Sequence, residues 1–171
     1  MNVWDAIWTG VVAALVASAV WFAVFQFLRP RIRIAPEAAW DPGTGLTHIK
    51  IVNTSYRHAI DIRFQLDVLS PKVNPNGITF TRRGVTIASD PPLILARKRR
   101  GSDDANAYRV AAAVDPRDVF TGKKNQFVRF RVFARDSVSG VGRVVEATYD
   151  ARGDFVDGIY EKGQGFRVEP R

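Results

Sequence analysis

Few side chains in this chain have the chemistry for catalysis, and their spacing is uninformative. There are two histidines, His48 and His58, and no cysteine. A zinc site would therefore need carboxylates at matched positions, and neither HxxxH nor HExxH occurs. Phosphate-cradling GxxxxGK[ST] and GxGxxG loops are missing, as is a GxSxG nucleophile elbow. Ser137 and Ser139, in the stretch DSVSG, suit a hairpin turn better than nucleophilic attack. Asp150, Asp154 and Asp157 lie among glycines but miss the DxDxDG spacing of a calcium loop. Arg152-Gly153-Asp154 spells an adhesion tripeptide, a match short enough to arise by chance. Asn53-Thr54-Ser55 is formally a glycosylation acceptor and, inside a cell, simply a turn. No catalytic, cofactor-binding or metal residue is assigned, no cofactor is expected, and a non-enzymatic role is expected.

Basic clusters stand above this background. Arg97, Lys98, Arg99 and Arg100 share one loop, with Arg82-Arg83 and Lys123-Lys124 in two others. Arg129, Arg131 and Arg135 project from one face of a predicted strand. The formal net charge is +8, and because Asp5 is the only charge in the first 28 residues, the rest carries +9. Anionic lipid headgroups are the favoured acidic partner, each nearby base being worth about 1 kcal/mol. Nucleic-acid binding is disfavoured, since it pairs basic patches with exposed aromatics and most phenylalanines here alternate toward a core. The plain alternative is a solvated basic surface partly neutralised by Asp103, Asp104 and Asp118.

The element that positions all of this is the run AIWTGVVAALVASAVWFAVFQFL at residues 6–28, which holds no charge. As a helix it is roughly 34 Å long, against a hydrocarbon core of about 30 Å. It reads as a transmembrane helix after a short outer segment, residues 1–5. Arg29, Arg31 and Arg33 follow it and only Asp5 precedes it, so the amino terminus is expected outside and residues 29–171 in the cytoplasm. Trp4 and Trp8 suit the outer interface. A cleaved signal peptide competes, because Ala17-Ser18-Ala19 has a small-x-small pattern; yet the start lacks a base, and cleavage would leave VWFAVFQFL exposed. Gly10, Ala14 and Ser18 repeat at four-residue spacing, a face that permits close helix packing and a homo-oligomer.

Beyond the helix, period-two alternation predicts strands. Ile60, Ile62, Phe64, Leu66 and Val68 alternate with Asp61, Arg63, Gln65 and Asp67, and residues 126–134 repeat the pattern. Further strands are expected over residues 31–34, 46–53, 78–81, 85–88, 93–96, 108–112 and 141–149. In the second of these, Ile49 and Ile51 face one way and His48 and Lys50 the other. Ser70-Pro71 and Asn74-Pro75-Asn76-Gly77 are expected to break the longest strand with a long turn. Asp115-Pro116 starts a short helical turn, and the tail adds one edge strand near Phe155 or stays irregular.

Many short strands with turn signals and little helix imply an all-β antiparallel sandwich, with an immunoglobulin-like arrangement leading and a small closed barrel second. The initial helix, the stretch IKIVNTSYRHAIDIRFQLDV and the stretch RFRVFARDSVSGVGRVVEATY together resemble small bacterial single-pass membrane proteins with an immunoglobulin-like β-sandwich. The resemblance implies the architecture and a bacterial-type inner membrane, and carries over no functional residue. The expected role is a membrane-anchored binding or adaptor module with a protein partner. The second expectation is a ligand-sensing effector whose helices assemble.

Overall fold

The computed structural model describes residues 2–98, 106–120, 126–150 and 152–170. The apolar run forms α1 (Val3–Phe27), which begins ahead of the charge-free stretch. Its 21 residues Ile7–Phe27 are long and apolar enough to cross a membrane, and none of that span is buried against the rest of the chain. Apolar residues occupy every face, as a lipid-exposed helix requires.

Strands dominate the remainder. In order they are β1 (Ile32–Ile34), β2 (Ala38–Asp41), β3 (Leu46–Asn53), β4 (Ala59–Asn74), β5 (Gly77–Gly84), β6 (Ile94–Leu95) and β7 (Ala107–Ala112). The short helix α2 (Pro116–Phe120) precedes β8 (Phe127–Asp136) and β9 (Gly142–Tyr149). A turn of 3-10 helix at Arg152–Asp154 leads to β10 (Phe155–Asp157), β11 (Ile159–Tyr160) and β12 (Val168–Glu169).

Two five-stranded sheets result. In the first, β3 pairs antiparallel with β1 and β2 along one edge and with β7 along the other, while β10 joins β2 in parallel. In the second, β5, β4, β8 and β9 lie in that order, all antiparallel, with β6 beside the start of β4. Ile49, Ile51 and Val110 of the first sheet share one core with Leu66, Phe130 and Val132 of the second. The alternation along β8 is the clearest case: Val128, Phe130, Val132 and Ala134 are buried, and the arginines between them are not.

Several expectations change. Pro71 does not end β4, which runs on through sixteen residues to Asn74. β8 stops pairing at Leu69, so beyond it β5 is the only strand beside β4 among the described residues, and β4 tolerates a residue without an N–H. The turn is tight rather than long, with Asn74 opposite Gly77 across Pro75-Asn76. A bulge between Ile60 and Arg63 places Asp61 at φ 50°, so Ala59 rather than Ile60 joins the core. Residues 85–88 cross between the sheets and make one bridge, Ile87 to Ala112. Asp115 caps α2 as its type suggests, its carboxylate accepting the Arg117 N–H at 2.8 Å.

Lys50 is the sharpest correction. Expected to face outward, it is fully buried at 0% exposure. The tail, through β11 and β12, packs Tyr160, Phe166 and Val168 onto Ala35 and Ala39 as a second small core. The Lys50 ammonium donates to the Glu161 carbonyl at 2.8 Å and lies 5.9 Å from the centre of the Tyr160 ring.

Candidate functional site at the helix–domain junction

Three segments distant in sequence meet where α1 joins the domain. Helical bonding ends at Leu28, whose N–H reaches the Val24 carbonyl at 3.0 Å, and Pro30 prevents continuation. The Arg31 carbonyl then accepts both the N–H of Thr54 at 2.7 Å and its hydroxyl at 2.8 Å. From the other side, the Ser139 hydroxyl lies 3.3 Å from the Leu28 carbonyl, its one proton shared between that oxygen and Asp136 Oδ1. The helix end is thus hydrogen-bonded to two loops of the domain.

Asn53 shapes the first loop. Its amide nitrogen donates to the carbonyls of Arg57 and Ala96, sharing a proton with that of Leu95 at 3.3 Å, and its amide oxygen accepts from the N–H and hydroxyl of Ser55. A fully buried side chain committed in this way makes a turn and leaves no site for glycosylation. Asp136 shapes the second loop, accepting the N–H groups of Val138 and Ser139 at 3.0 and 2.9 Å and the Ser139 hydroxyl at 3.1 Å. Burial opposes ionisation of Asp136. The bonds from Ser139 and Val138, together with the Arg57 charge, outweigh it and hold the carboxyl below the usual range.

Between the loops and the helix end lies a cavity of about 380 Å³, lined among others by Phe27, Arg29, Arg31, Tyr56, Arg57 and Asp136. Arg57 Nη1 is 3.6 Å from Asp136 Oδ1, an ion pair longer than a hydrogen bond, and this buried nitrogen has no hydrogen-bond partner. Three arginines against one aspartate among its lining residues leave the cavity formally positive. Guanidinium forks match phosphate and carboxylate oxygens, so the arrangement suits an anion.

Of the basic residues singled out from sequence, Arg29 and Arg31 line this cavity. Arg33 does not: its guanidinium stacks 5.4 Å from the Phe166 ring centre on the tail side. Arg97 and Lys98 are exposed. The Lys98 N–H donates to the Ser55 carbonyl at 2.8 Å, which ties their loop to the cavity loop without lining it. Arg99, Arg100, Asp103, Asp104, Lys123 and Lys124 lie outside the described residues. Gly10, Ala14 and Ser18 are exposed along α1, with the Ser18 hydroxyl bonded back to the Ala14 carbonyl at 2.8 Å.

Sequence reasoning missed Arg57, Tyr56 and Asp136. The signal was present in the β4–β8 pairing. Antiparallel strands place the start of β4, where TSYR enters, beside the end of β8, where DSVSG turns.

The outer face of the second sheet carries the arginines of β8, and each is paired. Arg129 lies 3.8 Å from Asp67, Arg131 is 2.6 Å from Glu146 and Arg135 is 3.4 Å from Asp61. The carboxylates that neutralise these three arginines come from the neighbouring strands β4 and β9. Burial lowers the pKa of His48, with Arg109 acting the same way and Asp41 opposing. The described residues contain no cluster of three or more His, Asp or Glu able to hold a metal ion.

No protein-family model matches this chain, and no curated protein matches it either.

Proposed function

We propose that this chain is a single-pass membrane protein whose β domain is a non-enzymatic docking module on the cytoplasmic side of a bacterial-type inner membrane. Retention of α1 as an anchor is supported by its exposed apolar surface and by its bonded junction with the domain. Orientation is supported by the arginines that follow it. An immunoglobulin-like sandwich is supported by the partition of strands. One sheet takes β1–β2, β3 and β7 while the other takes β5, β4, β8 and β9, the division of strands A, B, E from C′, C, F, G in such domains.

The observation that carries the docking role is β5. All eight of its residues are exposed, it forms one edge of its sheet, and Ile78 and Phe80 present apolar side chains there. Along β4 this edge extends to about 50 Å from the junction, well away from a bilayer. An edge with free backbone donors and acceptors can accept a strand from a partner protein. Photo-crosslinkers at Thr79 and Thr81 in cells are expected to capture the same partner of discrete mass, Phe80→Arg to abolish capture, and a crosslinker at Thr148 to capture none. Capture at Thr148 with equal yield, or none on β5, overturns the docking role. A carboxy-terminal tag digested in spheroplasts overturns the orientation.

The junction cavity favours a second reading, a ligand-sensing effector whose helices assemble through Gly10, Ala14 and Ser18.

A further inference from the structure

We infer that the junction cavity holds the phosphate of one anionic phospholipid headgroup, with Arg29, Arg31 and Arg57 as its ligands. The inference rests on the anchoring of α1 in a membrane proposed above. Its first support is charge: three arginines and one aspartate are among the lining residues, a net formal charge of +2 around the opening. The second is an unused donor. Asp136 Oδ1 is already occupied by three donors from its own turn, and Arg57 Nη1 is buried with no hydrogen-bond partner. The Arg57 side chain is 40% exposed, and a phosphate oxygen would give its guanidinium the charge-assisted bond that Asp136, at 3.6 Å, does not.

Position decides between a lipid and a soluble phosphate compound. The cavity opens directly at the end of α1, at the depth of the headgroups if the helix spans the bilayer. Phe27 and Tyr56 line it and are 75% and 80% exposed, as interfacial aromatic residues are. The apolar flank of α1 continues from Phe27 and provides a path for the acyl chains. One ligand with a phosphate head and an apolar tail therefore meets both halves of the site. The volume of about 380 Å³ exceeds what a lone phosphate fills and leaves room for a glycerol backbone.

The test is native mass spectrometry of the full chain in detergent, incubated with equal amounts of phosphatidylglycerol, phosphatidic acid and phosphatidylcholine. One anionic lipid per chain is expected to be retained and phosphatidylcholine is not. Arg57→Gln and Arg29→Gln should each lower retention at least tenfold, and Arg97→Gln should leave it unchanged. Arg29 is exposed and forms no ion pair among the described residues, so its variant tests the site without disturbing the fold. Equal retention of phosphatidylcholine, or wild-type retention by both cavity variants, overturns the proposal. Displacement of the lipid by equimolar glycerol 3-phosphate also overturns it, assigning the cavity to a soluble phosphate compound. Flotation with pure phosphatidylcholine vesicles reads anchoring separately: a chain that floats but retains no anionic lipid refutes the cavity alone, whereas one that does not float refutes the anchor.

Discussion

Asn53 and Asp136 carry the junction through hydrogen bonds, so each has its own signature when removed. Asn53→Ala strips donors from three carbonyls and an acceptor from Ser55 in a buried setting. We expect it to lower stability by about 2–4 kcal/mol in urea unfolding. Asp136 acts through its charge. Its folded pKa is depressed below the ordinary carboxylate value near 4, so the stability it contributes is present above that value and fades as pH falls through the folded pKa. The wild type should therefore exceed Asp136→Asn in melting temperature at pH 6, with the gap closing below about pH 4. A gap independent of pH would refute the assignment. Both residues were visible in the sequence only as turn formers. Asn53 reaches Leu95, 42 positions away in chain order, and Asp136 meets Arg57 of another loop, through packing that no local pattern encodes.

Elements behave differently, because periodicity is a local property that a few residues can report. The strands of β4 and β8 follow from alternation, which places apolar side chains on one face. What alternation did not reveal is where β4 shifts register at Asp61 and how it continues past Pro71, since both depend on which neighbours line each edge. The β11–β12 hairpin depends on Gly158, which has φ 142° and whose replacement would drive a Cβ into the Glu169 carbonyl. Gly158→Ala should detach this hairpin from the first sheet and cost more than about 1 kcal/mol. Hydrogen exchange would then rise at Tyr160 and at Lys50, the residue it covers. For α1, a chain without cysteine makes Ala14→Cys a clean reporter. If the small-residue face pairs two helices, oxidation in membranes gives a disulfide dimer at Ala14→Cys and none at Val12→Cys, which lies on the opposite face.

At the scale of the molecule, α1 and the β domain are separable in their energetics. The span of α1 contributes no buried surface to the core, while both sheets close on each other. A chain starting at Arg29 is therefore expected to retain its β circular-dichroism spectrum and to lose flotation with vesicles; loss of the spectrum would show that the core needs the helix. The sequence by itself determined the apolar span, the excess of positive charge beyond it and the strand-rich class, because each is read from neighbouring residues and their preference for water or lipid. Tertiary structure alone decided that Arg57 joins Arg29 and Arg31 beside Asp136, that Arg33 turns away to Phe166, and that Lys50 lies beneath the tail. These are contacts between residues far apart along the chain, and they exist only once strand pairing has chosen which loops share an end and which face the tail will cover.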